Sequence, residues 1–160
     1  MSRRPTDPVR PHPRLGWGTV IAYGACAGLL GVAAMTAAEK VEQFFTGRQN
    51  SEVPGKTLAR LINAKPQTTR ELWGLNMAMH YGQGAAAAVI RGIASYYGFR
   101  GPFTDFMFVG LRLMIDQTLE NWTGVGAPPW TWPVGEQVVD LLHKTVFAFV
   151  TGYFADRWIQ

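Results

Sequence analysis

The strongest constraint on the fold is a run without Asp, Glu, Lys or Arg that covers residues 17–38. A helix of about 20 apolar residues is long enough to cross the hydrocarbon core of a bilayer. The run is longer than the hydrophobic core of a signal peptide, and it lacks a clear cleavage region. We therefore expect a membrane helix that is retained in the protein.

Three further apolar segments follow, and polar loops that contain glycine and proline separate them. The four segments cover approximately residues 15–45, 71–97, 102–122 and 134–158. We predict an all-α protein, an integral membrane bundle of four transmembrane helices at residues 15–160. The expected location is multi-pass in a bacterial inner membrane or its equivalent. A soluble helical bundle remains an alternative, because the second and third segments are weakly hydrophobic.

The first 14 residues carry four arginines between prolines, a composition that predicts a disordered basic tail. We expect this tail to touch the anionic headgroups of the lipid bilayer, and we do not expect nucleic acid as a partner. Between the first two apolar segments, residues 56–64 are predicted to form a short amphipathic helix on the membrane surface.

Small residues recur at a four-residue spacing in the first two segments. Only small side chains allow two helix backbones to approach closely, and in lipid such packing stabilises helix pairs. We predict that the first two long helices cross through five of these residues. They are Gly24, Gly28, Gly74, Ala78 and Gly82.

Acidic and histidine side chains lie inside the apolar segments, where ionisable groups are costly and usually have a function. In an up-down-up-down bundle, the end of the first helix, the start of the second, the end of the third and the start of the fourth share one side of the membrane. We predict that these side chains form one layer that binds a metal ion or relays protons. The candidate ligands are Glu39, Glu42, His80, Asp116, Glu120, Glu136, Asp140 and His143.

Carboxylates outnumber cations in this layer, where Arg112 and Lys144 supply the compensating charge. The surplus calls for protons, a divalent metal or a cationic ligand. Imidazole and carboxylate ligands suit zinc, manganese or iron, and Asp140-x-x-His143 partly matches the Glu-x-x-His motif of metal-binding bundles. Haem between His80 and His143 is disfavoured by the surrounding carboxylates. The single cysteine excludes a disulfide framework and a cysteine zinc site.

The same residues also fit a purely structural explanation. Arg112 and Asp116 are four residues apart, as are Asp140 and Lys144, and this is the spacing of ion pairs along one helix. A salt-bridge network that only stabilises the bundle therefore remains an alternative to a site.

The two halves of the chain share an acidic residue, a Thr-Gly pair at a helix end, a proline-containing loop and a histidine. The Thr-Gly pairs are Thr46-Gly47 and Thr123-Gly124, and glycine is a common residue just after a helix. The pattern predicts two repeated helical hairpins that are related by a pseudo-twofold axis along the membrane normal.

Three motifs carry a resemblance to a known family. They are Thr46-Gly47-Arg48-x-Asn50-Ser51, Met79-His80-Tyr81-Gly82 and the loop of glycine, proline and tryptophan at residues 124–133. On these motifs the chain resembles the small multi-pass membrane proteins of bacteria and fungi that are grouped with YagU. The resemblance supports a membrane protein and implies no activity, cofactor or catalytic residue.

Two functions remain open from the sequence, which does not decide whether the protein is an enzyme. In the first, a membrane bundle binds a cation or relays protons, as a transporter element or a metal-dependent membrane enzyme. In the second, the chain is a structural or accessory subunit that docks into a homo-oligomer or a larger membrane complex. The two differ in whether the histidines and acids face the interior of the monomer or a flat outer surface.

Overall fold

The computed structural model of the protein describes residues 15–160, and the predicted basic tail at residues 1–14 lies outside the described residues. The described part of the chain folds into five α-helices and one short 3-10 turn, without a β-strand. The helices are α1 (Trp17–Thr46), α2 (Val53–Leu61), α3 (Thr69–Tyr96), α4 (Pro102–Trp122) and α5 (Val134–Trp158), and the 3-10 turn is Pro129–Thr131. The prediction of an all-α fold is confirmed.

Local chemistry determines the ends of the long helices. α1 ends at Thr46, and the φ of 70° at the following Gly47 lies in the left-handed region that glycine adopts most readily. Gly101, with a φ of 83°, precedes α4, and Pro102 is the first residue of that helix, where its missing N–H costs nothing. At the start of α3, the hydroxyl of Thr68 accepts a hydrogen bond from the backbone N–H of Glu71 at 3.2 Å.

α1 is central to the packing, because it contacts both α3 and α5. α4 packs on α5, and α2 lies against α3 and reaches α4. Buried apolar side chains from α1, α3, α4 and α5 form the core of the bundle. They are Val32, Met35, Ala87, Ala88, Phe108, Val109, Phe147 and Ala148.

The two predicted hairpins correspond to the pairs α1–α3 and α4–α5, and the two helices of each pair pack against each other. Their connections differ, since a nine-residue helix, α2, joins the first pair and a single 3-10 turn lies in the second connection. Contacts between α1 and α5 are as prominent as those within the pairs. Duplication of a hairpin therefore stays a prediction.

The crossing of α1 and α3 uses a different face of α3 from the predicted one. A Cβ added at Gly24 would meet the backbone of Val89 at 3.0 Å, and one at Gly28 would meet the carbonyl oxygen of Gly84 at 2.8 Å. By contrast, Gly74 and Gly82 have no neighbouring atom within 4 Å of an added Cβ among the described residues, and Ala78 is exposed.

The structure thus corrects the α3 side of the predicted contact, and the physical reason is that α3 carries small residues on two faces. The face that meets α1 is built from Gly84, Ala88 and Gly92. This set also has a four-residue spacing, and it is displaced by two residues from the predicted set. Two residues correspond to roughly 200° around a helix, so the predicted set lies on nearly the opposite side.

The polar connection between α1 and α3 contains the predicted short helix, which begins three residues earlier than expected. α2 packs closely on α3 because Gly55 has no side chain, and its backbone N–H donates to the Asn76 side-chain oxygen at 2.7 Å. Thr57 and Ala59 of α2 are buried against the bundle. The helix therefore forms a cover over one end of the bundle.

Two of the helices, α1 and α5, are long and apolar enough to cross a membrane. Length and composition alone support this statement, and a helix of this kind also occurs in the core of soluble proteins. Within the described residues, α3 and α4 do not pass the same test. A bundle with four membrane spans is therefore a proposal.

Candidate functional site

A cavity of about 670 Å³ lies at the end of the bundle where α1 ends, α3 begins, α4 ends and α5 begins. All five helices and the loop at residues 123–133 contribute to its wall. Small-molecule sites in proteins typically have volumes of roughly 300–1,000 Å³. The cavity therefore has the size of a site for a small organic molecule.

The cavity gathers nearly all of the polar residues that the sequence analysis selected. The predicted residues in its wall are Glu39, His80, Arg112, Asp116, Glu120, Glu136, Asp140, His143 and Lys144. Glu42 is the exception, because it lies outside the wall and pairs with Arg48 at 2.9 Å. The alternation of helix directions thus brings side chains from distant parts of the sequence to one depth.

Two cations and two carboxylates form an ion-pair network on one side of the cavity. Asp116 lies 2.9 Å from Nη1 of Arg112 and 3.3 Å from Nζ of Lys144, and its carboxylate accepts a hydrogen bond from Gln83 at 2.8 Å. Lys144 also pairs with Asp140. The pairs expected under the structural explanation are therefore present. The charges of the two cations and the two carboxylates balance. The ion pair of Asp116 with Lys144 links α4 to α5, and the hydrogen bond from Gln83 links α4 to α3.

Other carboxylates of the wall remain outside this balance. Glu39 shares Arg48 with Glu42, at 3.6 Å. Neither Glu120, which is half-buried, nor Glu136, which is exposed, has an ion-pair partner in residues 15–160. A carboxylate that is withdrawn from water without a partner is costly. The cavity wall therefore carries more carboxyl groups than cations, and a bound cation would favour their ionised form.

Several buried polar atoms of the wall make no hydrogen bond to any described residue. They are Oγ1 of Thr57, Nε2 of His80, and Nε and Nη1 of Arg112. Thr57 is 0% exposed and Arg112 is 3% exposed. Buried polar groups in proteins nearly always have a partner, so each exception needs an explanation. Four of the seven such atoms found in residues 15–160 belong to the wall of this cavity, on α2, α3 and α4.

A metal centre is not preformed in this cavity. Within residues 15–160, no three side chains of His, Cys, Asp or Glu are placed so that they could hold one metal ion. The predicted ligands surround a common space, and they do not converge on a common point. Metal binding at this layer therefore stays a prediction for which the side-chain arrangement gives no support.

A second polar cluster, at the opposite end of the bundle, was missed from the sequence. Arg91 is 1% exposed, and its Nη2 donates to Asp105 at 2.7 Å and to Asp156 at 2.9 Å. Its Nη1 donates to the hydroxyl of Ser95 at 2.6 Å. Gly152 leaves room for the carboxylate of Asp105, which a Cβ there would overlap.

This second cluster joins α3, α4 and α5, and its polar groups are paired. A signal for it was present in the sequence, because Arg91 interrupts a run of small and apolar residues in which an unpaired charge would be costly. Its partners lie 14 and 65 residues away, so that spacing along one helix could not identify them. We assign the cluster a structural role.

Comparison of the chain with protein-family models, with curated proteins and with solved structures finds no match. The resemblance to YagU-like proteins accordingly stays a prediction.

Proposed function

We propose that this protein is a small multi-pass membrane bundle whose cavity binds a positively charged organic solute. The observation that carries the proposal is the cavity of about 670 Å³, whose wall contains more carboxylates than cations. The opening lies at one end of the bundle, so the solute would enter from one side of the membrane.

The outer surface of the helices supports the membrane part of the proposal. Only 39% of the apolar window of α1 and 33% of that of α5 are buried inside the bundle, whereas a core helix of a soluble protein is mostly buried. On α4, large apolar side chains point outward. They are Phe103, Phe106, Met107 and Met114. Contiguous apolar surface of this kind is typical of contact with lipid.

The charges that make α4 less apolar on average do not face outward. Asp105, Arg112 and Asp116 are all buried within the bundle. Charged residues of membrane helices usually face the bundle interior or a cavity, where they find partners. An inward placement thus reconciles the modest hydropathy of α4 with a membrane span.

The wall of the cavity supports a cationic ligand. Five carboxylates line it, namely Glu39, Asp116, Glu120, Glu136 and Asp140, against Arg48, Arg112 and Lys144. A bound cation would compensate the carboxylates that lack an ion-pair partner in the described chain. The volume exceeds what a bare metal ion needs, and no metal-ligand group is formed in residues 15–160. An organic cation fits both observations.

The alternative of a structural or accessory subunit is less well supported. The histidines and acids surround a space inside the monomer, and a docking surface would present them on a flat outer face. An apolar groove between α4 and α5, lined by Leu113, Val138 and Leu141, is the surface that such a subunit would use. Asp140 is the single charged residue that lines this groove, so the groove does not account for the polar cavity.

Labelling of single cysteines tests the membrane topology. With Cys26 replaced by Ser, we expect Asn50→Cys and Phe99→Cys to react with a membrane-impermeant thiol reagent from opposite sides of sealed vesicles. The reason is that α3 separates the two positions and would cross the bilayer once. Reaction of both cysteines from the same side would contradict a span at α3.

Binding measurements test the cavity. We expect small organic amines to raise the melting temperature of the purified protein, with a shift that grows with the logarithm of their concentration once it exceeds Kd, whereas the matched neutral alcohols do not. Glu120→Gln removes one unpaired carboxylate from the wall, and we expect it to weaken amine binding about tenfold, the equivalent of 1.4 kcal/mol. Thermal unfolding measures the melting temperature, and isothermal titration calorimetry measures the affinity.

Glu52→Gln is the matched control for this variant. Glu52 pairs with Lys56 on the exposed surface of α2 and does not line the cavity. Its replacement should leave amine binding unchanged. Equal effects of the two variants, or equal shifts with amines and alcohols, would remove the support for a cation site.

A further inference from the structure

We infer that the solute is a zwitterion whose acidic group is bound by Arg112, Thr57 and His80. This inference rests on the proposed function, since it assumes that the cavity holds an organic cation and specifies what else that cation carries. The acidic group would be a carboxylate or a phosphate. The cationic group would face the surplus carboxylates of the same cavity.

Four polar atoms of the cavity wall lack a hydrogen-bond partner in the described chain. Nε and Nη1 of Arg112, Oγ1 of Thr57 and Nε2 of His80 make no hydrogen bond within residues 15–160. All three residues line the cavity. Arg112 and Thr57 are more than nine-tenths buried, so bulk water does not reach them freely.

Asp116 forms an ion pair with Nη1 of Arg112, and Nε of Arg112 has no partner within residues 15–160. Nη1 lies 2.9 Å from Oδ1 of Asp116, within ion-pair distance but without the alignment of a hydrogen bond. Oδ1 already accepts from Gln83 at 2.8 Å, and Oδ2 lies 3.3 Å from Nζ of Lys144. The carboxylate of Asp116 therefore has other donors, and the guanidinium keeps at least its Nε–H for a ligand.

The chemistry of the atoms without a hydrogen-bond partner indicates what they would bind. An arginine side chain has only donors, and a threonine hydroxyl can donate, as can the Nε2 of a histidine in the matching tautomer. An oxyanion is the group that accepts from all of them at once, and charge-assisted hydrogen bonds from arginine are the strong ones. A purely cationic solute would leave these donors unused.

The three residues also belong to elements that come together only through the tertiary fold. Thr57 lies on α2, His80 on α3 and Arg112 on α4, and α2 contacts both other helices. The cover formed by α2 thus completes the proposed oxyanion subsite. The carboxylates Glu120 and Glu136 lie on α4 and α5, in the wall of the same cavity. The wall therefore offers donors for an anion and carboxylates for a cation.

The test compares three series of ligands of equal chain length by calorimetry on the full chain in detergent: alkylamines, ω-amino acids and alkyl carboxylates. We expect an ω-amino acid of suitable length to bind at least about tenfold more tightly than its alkylamine, which corresponds to about 1.4 kcal/mol. Thr57→Val should reduce the ratio of these two affinities several-fold, and Arg112→Gln should bring the ratio to about one.

Thr151→Val is the matched control, because Thr151 is also 0% exposed and its hydroxyl also lacks a partner in the described chain, yet it does not line the cavity. Thr151→Val should leave the ratio of ω-amino acid affinity to alkylamine affinity as it is in the unaltered protein. Arg112 is part of an ion pair, and its loss could prevent folding. The result with Thr57→Val alone therefore decides the test. A ratio that Thr57→Val leaves unchanged would overturn the assigned subsite.

A lipid headgroup with an amine and a phosphate has the same chemistry as a free zwitterion. Free phosphoethanolamine, and nanodiscs with or without phosphatidylethanolamine, distinguish the two sources. Tighter binding of phosphoethanolamine than of the amine without phosphate would support the inference if Thr57→Val reduces the difference. A preference for nanodiscs with phosphatidylethanolamine over those without it would support the inference on the same condition. Equal affinity for amines and zwitterions would overturn it and leave the proposed function intact. Absence of binding by both amines and zwitterions would overturn the proposed function as well.

Discussion

Replacement of Arg91 by Met is expected to cause the largest loss of stability of any single substitution considered for this protein. The side chain of Arg91 is fully buried and is the cation shared by Asp105 and Asp156. Removal of one partner from a buried ion pair costs about 3–5 kcal/mol, because it leaves an uncompensated charge. Thermal unfolding in detergent should show a large fall in melting temperature or a failure to fold.

Two further variants distinguish this explanation from a simple loss of packing. Arg157→Met removes an exposed arginine that stacks on Tyr153 at 4.3 Å, and it should change the melting temperature little. Addition of Asp105→Asn and Asp156→Asn to Arg91→Met removes the unpaired charges, so it should recover part of the stability. A triple variant that is less stable than Arg91→Met would argue against the charge explanation.

Gly28→Leu is expected to have the second largest effect. A Cβ at this position would overlap the side chain of Ala88 and lie 2.8 Å from the carbonyl oxygen of Gly84. The neighbouring atoms belong largely to the backbone of α3, so they cannot move aside without separating the two helices. Overpacking of this kind typically costs about 1–3 kcal/mol, and a backbone obstacle places the cost at the upper end. The melting temperature in detergent measures the loss.

Gly82→Leu is the matched control on the other helix of the pair. No described atom lies within 4 Å of an added Cβ at Gly82, so the larger side chain fits without displacing a neighbour. Its effect should be small, and Ala78→Leu should behave in the same way because Ala78 is exposed. If Gly82→Leu destabilised the protein as much as Gly28→Leu, the observed crossing of α1 and α3 would be wrong.

The limits of the long helices could be predicted to within a few residues because local residues determine them. Gly47 stops α1 and Pro102 starts α4, and both act through their own backbone geometry. The face of α3 that packs on α1 could not be chosen in this way. Gly74, Ala78 and Gly82 have the same spacing as the set that makes the contact, and spacing alone does not distinguish two small-residue faces of one helix.

The candidate site shows the same division. The sequence located the polar layer, because ionisable residues in apolar segments stand out and alternating helix directions give their depth. It did not indicate whether they would converge on one metal ion or surround a larger space, which depends on the distances between helices. The structure supports the second arrangement, and α2 supplies Thr57 to the cavity, a residue that no pattern had selected.

The sequence by itself thus determined the all-α fold, the ends of its long helices and the depth of its polar residues, since each of these follows from neighbours along the chain. The i, i+4 pairs Arg112–Asp116 and Asp140–Lys144 also followed from the sequence, and only the tertiary structure decided which partners the buried charges have on other helices. Arg91 pairs with Asp156 across 65 residues, and Arg112 keeps an Nε–H that the described chain leaves unused. Such pairings depend on how helices rotate and cross, and packing over the whole bundle fixes that rotation.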